Sequence, residues 1–272
     1  MIIRPIVAYI AYEPYGFDYL ERFLKKYSKY SSGYDHELLI CFKQFKSKEI
    51  IHKWKREINV KFTEFDDSNN PNDFDIGSYF RIAKNFPKKH ILFLDTHTRP
   101  NCNNWLKIYV NHYKENTLLG ATGSMSSLSS QFLKLFYKGK HSVFQQIRWG
   151  IHHLKKVQLY PNPHIRTTAF FLNARDLLSL DFDTKKFVKK IETNYFEGGR
   201  DGLSNRLLKK GFKLLVVNSD NKSFDIPNWK FSQTYCLKNQ EKLIFKDNRT
   251  DEFEKADEFE KTKWTKFTWG KV

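Results

Sequence analysis

His90-Ile91-Leu92-Phe93-Leu94-Asp95-Thr96-His97-Thr98-Arg99-Pro100 is the stretch whose reading decides the fold. Two lysines lead into it, four apolar residues follow, and the run stops at an acid with an imidazole two positions on. A short apolar run bounded in this way suits a strand buried on both faces. Ligands of open α/β sheets sit outside the carboxyl ends of the strands. Asp95 and His97 fall at that end, and residues i and i+2 of an extended segment point the same way. One carboxylate and one imidazole can then meet a single divalent ion. The plainer alternative is a capped turn, with Asp95 accepting backbone N–H groups and His97 serving as polar surface.

Upstream, residues 6–10 and 38–42 read as buried strands, and a third lies near 60–65. Between the first two, Leu20, Phe23, Leu24 and Tyr27 repeat at helical spacing. A lysine-rich helix over about 46–56 leads to the third strand. This β-α-β-α-β alternation predicts a parallel sheet with right-handed crossovers. Residues 66–73 are polar turn sequence, and Asp75-Ile76-Gly77 opens a helix over 78–85 with Arg81 one turn in. A helix N-terminus beside a glycine is a ready anion site. Capping by Asp75 and a solvated Arg81 is the other reading of that pattern.

Downstream, Asn103 is placed to cap a helix with Trp105, Leu106, Tyr109 and Tyr113 on its inner face. Residues 118–123 read as a strand entering a turn, and 124–130 are Ser-rich. Residues 131–156 look helical, aromatic and basic: a lid over a second substrate, a membrane contact, or an ordinary surface helix pair. Two prolines fix an extended approach to a strand at 169–172. His164 and Arg166 alternate onto one side of that approach and can bind hydroxyls or a phosphate. Asp201 sits at a predicted helix start, Leu203, Leu207 and Leu208 face inward, and Gly211 ends the helix before a strand at 212–217.

The chain has 272 residues, enough for one large α/β domain or two small ones. Hydrophobic residues make up 40% and aromatics 17%, which argues for a packed core and against disorder. Forty-seven basic against 30 acidic residues give a net charge of +17. That excess favours anionic partners without choosing among them. The basic residues are scattered and form no nucleic-acid motif, which argues against a nucleic-acid-binding protein. Three unpaired-looking cysteines, Cys41, Cys102 and Cys236, fit a reducing compartment. No apolar run approaches the roughly 20 residues that span a bilayer. A cytoplasmic protein is expected, with peripheral membrane contact left open. The segment 235–272 is polar and charged, with Trp264 and Trp269 placed to dock back on the domain or to touch an interface.

Asp95-Thr96-His97, after a hydrophobic strand and before Pro100 and Trp105-Leu106, resembles the Asp-x-Asp motif of glycosyltransferases with the GT-A fold, similar to the family-2 nucleotide-sugar enzymes. His97 stands in place of the second acid. The unit from Glu197 to Val217 resembles that family's run of acids at a helix start, Leu-x-x-Arg-Leu, then Gly and a strand. The usual adjacent acid pair is missing, and Glu197 and Asp201 flank Gly198-Gly199-Arg200 instead. The resemblance covers about residues 3–220.

It implies a Rossmann-like α/β fold with a mostly parallel central sheet flanked by helices. It implies one domain over 1–234, with a nucleotide-binding half at 1–100, an acceptor half at 101–234 and a C-terminal extension at 235–272. The expected reaction moves a sugar from a nucleotide-sugar donor, UDP- or GDP-linked, to an acceptor hydroxyl of a glycan or lipid-linked acceptor. Asp95 and His97 are then the metal ligands, for Mn²⁺ or Mg²⁺, with imidazole favouring Mn²⁺. Ala11, Tyr12, Asp75, Arg81 and Asp95 are expected at the nucleotide, His164 and Arg166 at the acceptor. Either Glu197 or Asp201 is the base. The alternative is a nucleotide- or glycan-binding protein that the His97 change has left without catalysis.

Overall fold

The computed structural model describes residues 4–130 and 143–270. Twelve strands follow in chain order. The first four are β1 (Ile6–Tyr12), β2 (Glu37–Lys43), β3 (Thr63–Asp67) and β4 (His90–Leu94). Then come β5 (Arg99–Pro100), β6 (Thr117–Gly120), β7 (Gly123–Ser124) and β8 (His164–Ile165). The last are β9 (Ala169–Asn173), β10 (Lys213–Asn218), β11 (Lys222–Phe224) and β12 (Phe245–Lys246). Eight form one sheet in the order β11-β10-β6-β9-β4-β1-β2-β3. β1, β2, β3 and β4 run parallel to one another. β6 and β10 are parallel to each other. β9 runs antiparallel between β4 and β6, and β11 closes the far edge antiparallel to β10.

The sheet is covered on both faces, as the continuous apolar runs require. In β1, Ile6, Ala8 and Ile10 pack with Ile76, Tyr79 and Ala83 of α3 (Phe74–Asn85). Val7, Tyr9 and Ala11 point the other way, toward Leu20, Phe23 and Leu24 of α1 (Phe17–Lys29). Ile51 and Trp54 of α2 (Lys48–Arg56) and Trp105 and Leu106 of α4 (Trp105–His112) complete that second layer. Phe196, Leu203, Leu207, Phe253 and Trp269, all from the last third of the chain, join the α3 side. The C-terminal segment is therefore part of the core. Its β12 pairs with β5 just after the central motif.

Three local details differ from the sequence expectation. α3 begins at Phe74, so Asp75 lies in its first turn. Asn104, in the left-handed region at φ 60°, precedes α4 as its cap, while the Asn103 side chain accepts a bond from the Ser31 N–H. Asp201 does not open a helix: Gly202 caps the helix Leu203–Lys209, and Glu197 sits in the last turn of a separate helix, Lys190–Gly198. The first part of the expected lid, 131–142, lies outside the described residues; Val143–Lys156 is helical.

A buried ion network fixes where α3 starts. Lys43, at the end of β2, reaches Asp67 at 3.2 Å and Asp73 at 2.8 Å. Arg81 bonds the same two acids from the opposite side, and Ser78 donates to Asp67 at 2.6 Å. Lys43 and Asp67 are fully buried. Two cations balance two acids, so the desolvation of four charges is offset by direct contact. A Cβ on Gly77 would fall 1.7 Å from the Asp73 carboxylate, so this turn of α3 has room only for hydrogen there. Removing one partner strands a buried charge. Lys43→Met is expected to lower unfolding free energy by about 3–5 kcal/mol, read from urea denaturation. A loss under about 1 kcal/mol would mean that solvent screens the network as it screens surface pairs.

Candidate active site

The antiparallel insertion of β9 decides where the site forms. Leu94 at the end of β4 pairs with Ala169 at the start of β9. Residues 95–98 and 166–168 therefore meet at one edge. The Asp95 N–H donates to the Thr168 carbonyl at 3.0 Å, and Thr98 Oγ1 lies 3.0 Å from the same carbonyl. Tyr9, stacked on Phe23 at 4.1 Å, donates its hydroxyl to the Thr96 carbonyl at 2.7 Å. Tyr79 reaches the Thr167 carbonyl at 3.3 Å. Core aromatics thus anchor both turns from below.

Above these turns lies a cavity of about 380 Å³. Tyr12, Tyr15, Asn72, Phe74 and Asp75 line one side. Asp95 and His97 form the floor with Arg166 and Thr167, and Lys190, Asn194 and Glu197 project from the helix Lys190–Gly198. Tyr235, Asn248 and Arg249 close it from the C-terminal segment.

The floor is acidic and short of partners. Asp95 Oδ1 accepts from the His97 N–H at 3.0 Å and from Thr98 Oγ1 at 2.6 Å. Burial, then the charges of Asp75 and Asp247, hold the Asp95 carboxyl well above the usual carboxylate range. Burial also raises Asp75, against the pull of Lys190, and Asp75 makes no hydrogen bond or ion pair among the described residues. The His97 ring packs against Tyr15 and Tyr19, at 4.9 and 4.8 Å between centroids. Burial lowers its pKa, so the neutral ring is favoured, and its Nδ1 is buried with no partner among the described residues.

Arg166 is buried, stacked over Tyr235 at 3.9 Å and paired with Asp247 at 2.9 Å. Burial opposes an ionised Asp247, but Arg166 and the Thr250 N–H hold it below the ordinary range. Asp247 also caps the helix Asn248–Lys255 through that N–H, at 2.8 Å. One carboxylate thus ties the C-terminal helix to the cavity wall. Glu197 Oε2 accepts from the Thr167 N–H at 2.8 Å and its hydroxyl at 2.7 Å. Glu197 Oε1 stands 3.7 Å from His164 Nε2.

Tyr12, Asp75, Asp95, His97, Arg166 and Glu197 line this one cavity. Four other expected residues lie elsewhere. Ala11 is sealed in the α1-side core. Arg81 is consumed by Asp67 and Asp73 and does not reach the cavity. Asp201 is exposed and pairs with Lys209 at 3.2 Å, because the intervening glycines turn the chain outward between two helices. His164 is buried behind Glu197 and does not face the cavity directly. Lys190, Asn194, Tyr235, Asp247 and Arg249 had no motif to mark them; only Asp247-x-x-Thr250 is a readable helix-cap pattern.

No family model matches the chain, and no curated protein sequence matches it. Among solved structures the likeness is distant. Mouse xyloside xylosyltransferase 1 is 11% identical, with 79% of this chain and 86% of that one covered, at a TM-score of 0.43. The glycosyltransferase GlyE of Streptococcus pneumoniae TIGR4 is 12% identical over 78% of this chain, at 0.42; only 45% of GlyE is covered, so this chain spans under half its length. The 4-diphosphocytidyl-2C-methyl-D-erythritol synthase of Anaerococcus prevotii DSM 20548 is 15% identical, with 84% and 96% covered, at 0.44. The sheet itself is a mixed eight-stranded one with helices on both faces.

A carboxyl whose pKa is raised on folding binds its proton more tightly in the native state, so its stabilising effect is present at acid pH and is lost as pH rises toward the folded-state value. Ionisation of Asp95 is opposed by burial and by the charges of Asp75 and Asp247. Asp95→Asn, which keeps the Oδ1 acceptor, is expected to raise the melting temperature, and its advantage should grow between about pH 4 and about pH 7. A constant or shrinking difference in thermal melts would show that the Asp95 carboxylate is not repelled by its surroundings.

Proposed function

We propose that this protein transfers a sugar from a nucleoside diphosphate sugar to an acceptor hydroxyl. The observation that carries the reading is the cavity itself. It sets the strand-end pair Asp95 and His97, with Asp75, opposite Glu197 across a space of about 380 Å³. Tyr12, Tyr15, Phe74 and Asn72 form an aromatic and amide corner that suits a nucleobase. Lys190 and Arg249 supply positive charge for a diphosphate.

Asp95 and His97 fit a divalent cation in part. Repelled carboxylates and an unpartnered imidazole nitrogen call for positive charge, and the N/O donor set suits Mn²⁺ better than Mg²⁺. Among the described residues no group of three or more His, Cys, Asp or Glu side chains forms a ready cage. Phosphate oxygens and water would complete the coordination. When bound, the ion supplies charge neutralisation for the departing diphosphate.

The residues do the rest. Thr167 fixes Glu197 through two bonds to one oxygen, which leaves the other to accept a proton from the acceptor hydroxyl. Arg166 braces the floor through Asp247 and is spoken for, so it positions the wall instead of binding a phosphate. Among the described residues no helix is long and apolar enough to cross a membrane, which leaves lipid-linked and soluble glycan acceptors equally open to this site.

Nucleoside diphosphate sugars should raise the melting temperature of the wild type, more strongly with Mn²⁺ present. His97→Ala and Asp95→Asn should abolish the metal-dependent part. Glu197→Gln should keep donor affinity and lose about 10²–10⁴-fold in kcat, the usual scale of general-base catalysis. Wild-type protein that binds no such nucleotide with or without metal would overturn the reading.

A further inference from the structure

The imidazole behind Glu197 has a defined tautomer. His164 Nδ1 lies 2.7 Å from the Asn162 carbonyl oxygen. A carbonyl only accepts, so Nδ1 carries the proton and the neutral ring presents a bare lone pair at Nε2. That lone pair faces Glu197 Oε1 at 3.7 Å. Oε1 is also an acceptor. Two acceptors face each other with no donor between them, His164 buried and Glu197 partly so, an arrangement that a single proton resolves.

A small cavity of about 100 Å³ adjoins this pair, lined by Asn162, His164, Asn194, Glu197, Val157 and Phe267. Glu197 and Asn194 line both this cavity and the larger one, so they form the partition. Asn162 is 1% exposed. Its Nδ2 donates to the Gly198 carbonyl at 2.9 Å and the Ser126 carbonyl at 3.2 Å, which fixes the amide orientation. Its Oδ1 is then an acceptor with no partner among the described residues. The chamber is rich in acceptors and large enough for water. A Cβ on Gly198 would come within 3.1 Å of His164 Nδ1 and of Asn162 Nδ2, so the helix end packs directly on both side chains.

We propose that His164 and Glu197 act as one base, with His164 receiving through its Nε2 the proton that Glu197 takes from the acceptor. This rests on the glycosyl-transfer reading and deepens it. The acceptor oxygen forms the bond to the anomeric carbon. The bond from that carbon to the diphosphate oxygen breaks, and its electron pair leaves with the diphosphate. The hydroxyl proton goes to Glu197 Oε1 and on to Nε2, giving an imidazolium held between the Glu197 carboxylate and the Asn162 carbonyl. The small chamber is its way out to solvent. Glu197 is the catalytic residue, and His164 is a positioning residue that acts through it.

The groups that bear on His164 are few. Burial lowers its pKa, Glu197 and the Asn162 carbonyl raise it, and Arg166 lowers it. Arg166 is itself neutralised by Asp247. After burial, Glu197 is therefore the strongest influence on the ring.

The test uses the full chain labelled in histidine and followed by nitrogen and carbon NMR against pH. The wild type should show the Nδ1–H tautomer at His164. Glu197→Gln should lower the His164 midpoint by more than about one unit, the scale of strongly coupled sites. An Nε2–H tautomer, or an unchanged midpoint in Glu197→Gln, overturns the pairing whether or not a substrate is known. His164→Asn keeps a donor for the Asn162 carbonyl and removes Nε2. It should keep donor Kd within about twofold, lower kcat at least tenfold, and displace the acidic limb of kcat, because one member of the shared base is gone. An unmoved limb overturns the shared base. Failure of the glycosyl-transfer reading looks different: the NMR coupling persists while the wild type turns over no nucleotide sugar.

Discussion

An antiparallel strand in an otherwise parallel neighbourhood governs this molecule. Had β9 run parallel to β4, its first residues would lie at the opposite end of the sheet from Asp95. Because it runs the other way, Leu94 pairs with Ala169 and the residues before β9 rise beside the residues after β4. The Asp95 N–H donates to the Thr168 carbonyl, with the Thr98 hydroxyl packed against the same oxygen, and this locks the two turns together. Much of the cavity's chemistry hangs on that junction: Asp95 and His97 from one turn, Arg166 and Thr167 from the other, and through Thr167 the orientation of Glu197.

Charge is handled in two ways on the two sides of α3. On the inner side, Lys43, Arg81, Asp67 and Asp73 neutralise one another and are spent on structure. On the cavity side, Asp75 and Asp95 are left without cations of their own. Proteins tolerate such repulsion where a ligand relieves it. The contrast separates acids that hold the fold from acids that wait for a cationic or metal-bridged partner, although Asp73 and Asp75 flank the first residue of α3.

The sheet was legible in the sequence because its strands are continuous apolar runs and its helices carry a periodic stripe. The floor of the site was legible for a related reason. Asp95 and His97 interrupt an apolar run, and a polar residue in that setting needs a cause. Arg81 shows where reading stopped. A basic residue one turn into a helix looks the same whether it faces a phosphate or two buried aspartates, and only tertiary packing tells which. Asp201 was misplaced because three glycines in five residues permit many chain paths, of which the observed one turns it to solvent. The contribution of Tyr235, Asp247 and Arg249 was invisible, since in a charged segment rich in lysine and glutamate only Trp264 and Trp269 signalled docking. Its few buried residues, Phe253 and Trp269 among them, carry the docking.

The Arg166–Asp247 pair also bears on how the chain comes to be folded. Arg166 is made 81 residues before its partner, counting from 166 to 247. At about 5–20 residues per second, that gap lasts roughly 4–16 s on the ribosome. During it the sheet core can form from residues already made, while the guanidinium has no carboxylate and stays hydrated. The cavity wall cannot close until the last helices arrive. Nascent chains would therefore hold a finished scaffold around an unfinished pocket, and competence to hold a ligand would be acquired late and in one step, when Asp247 docks.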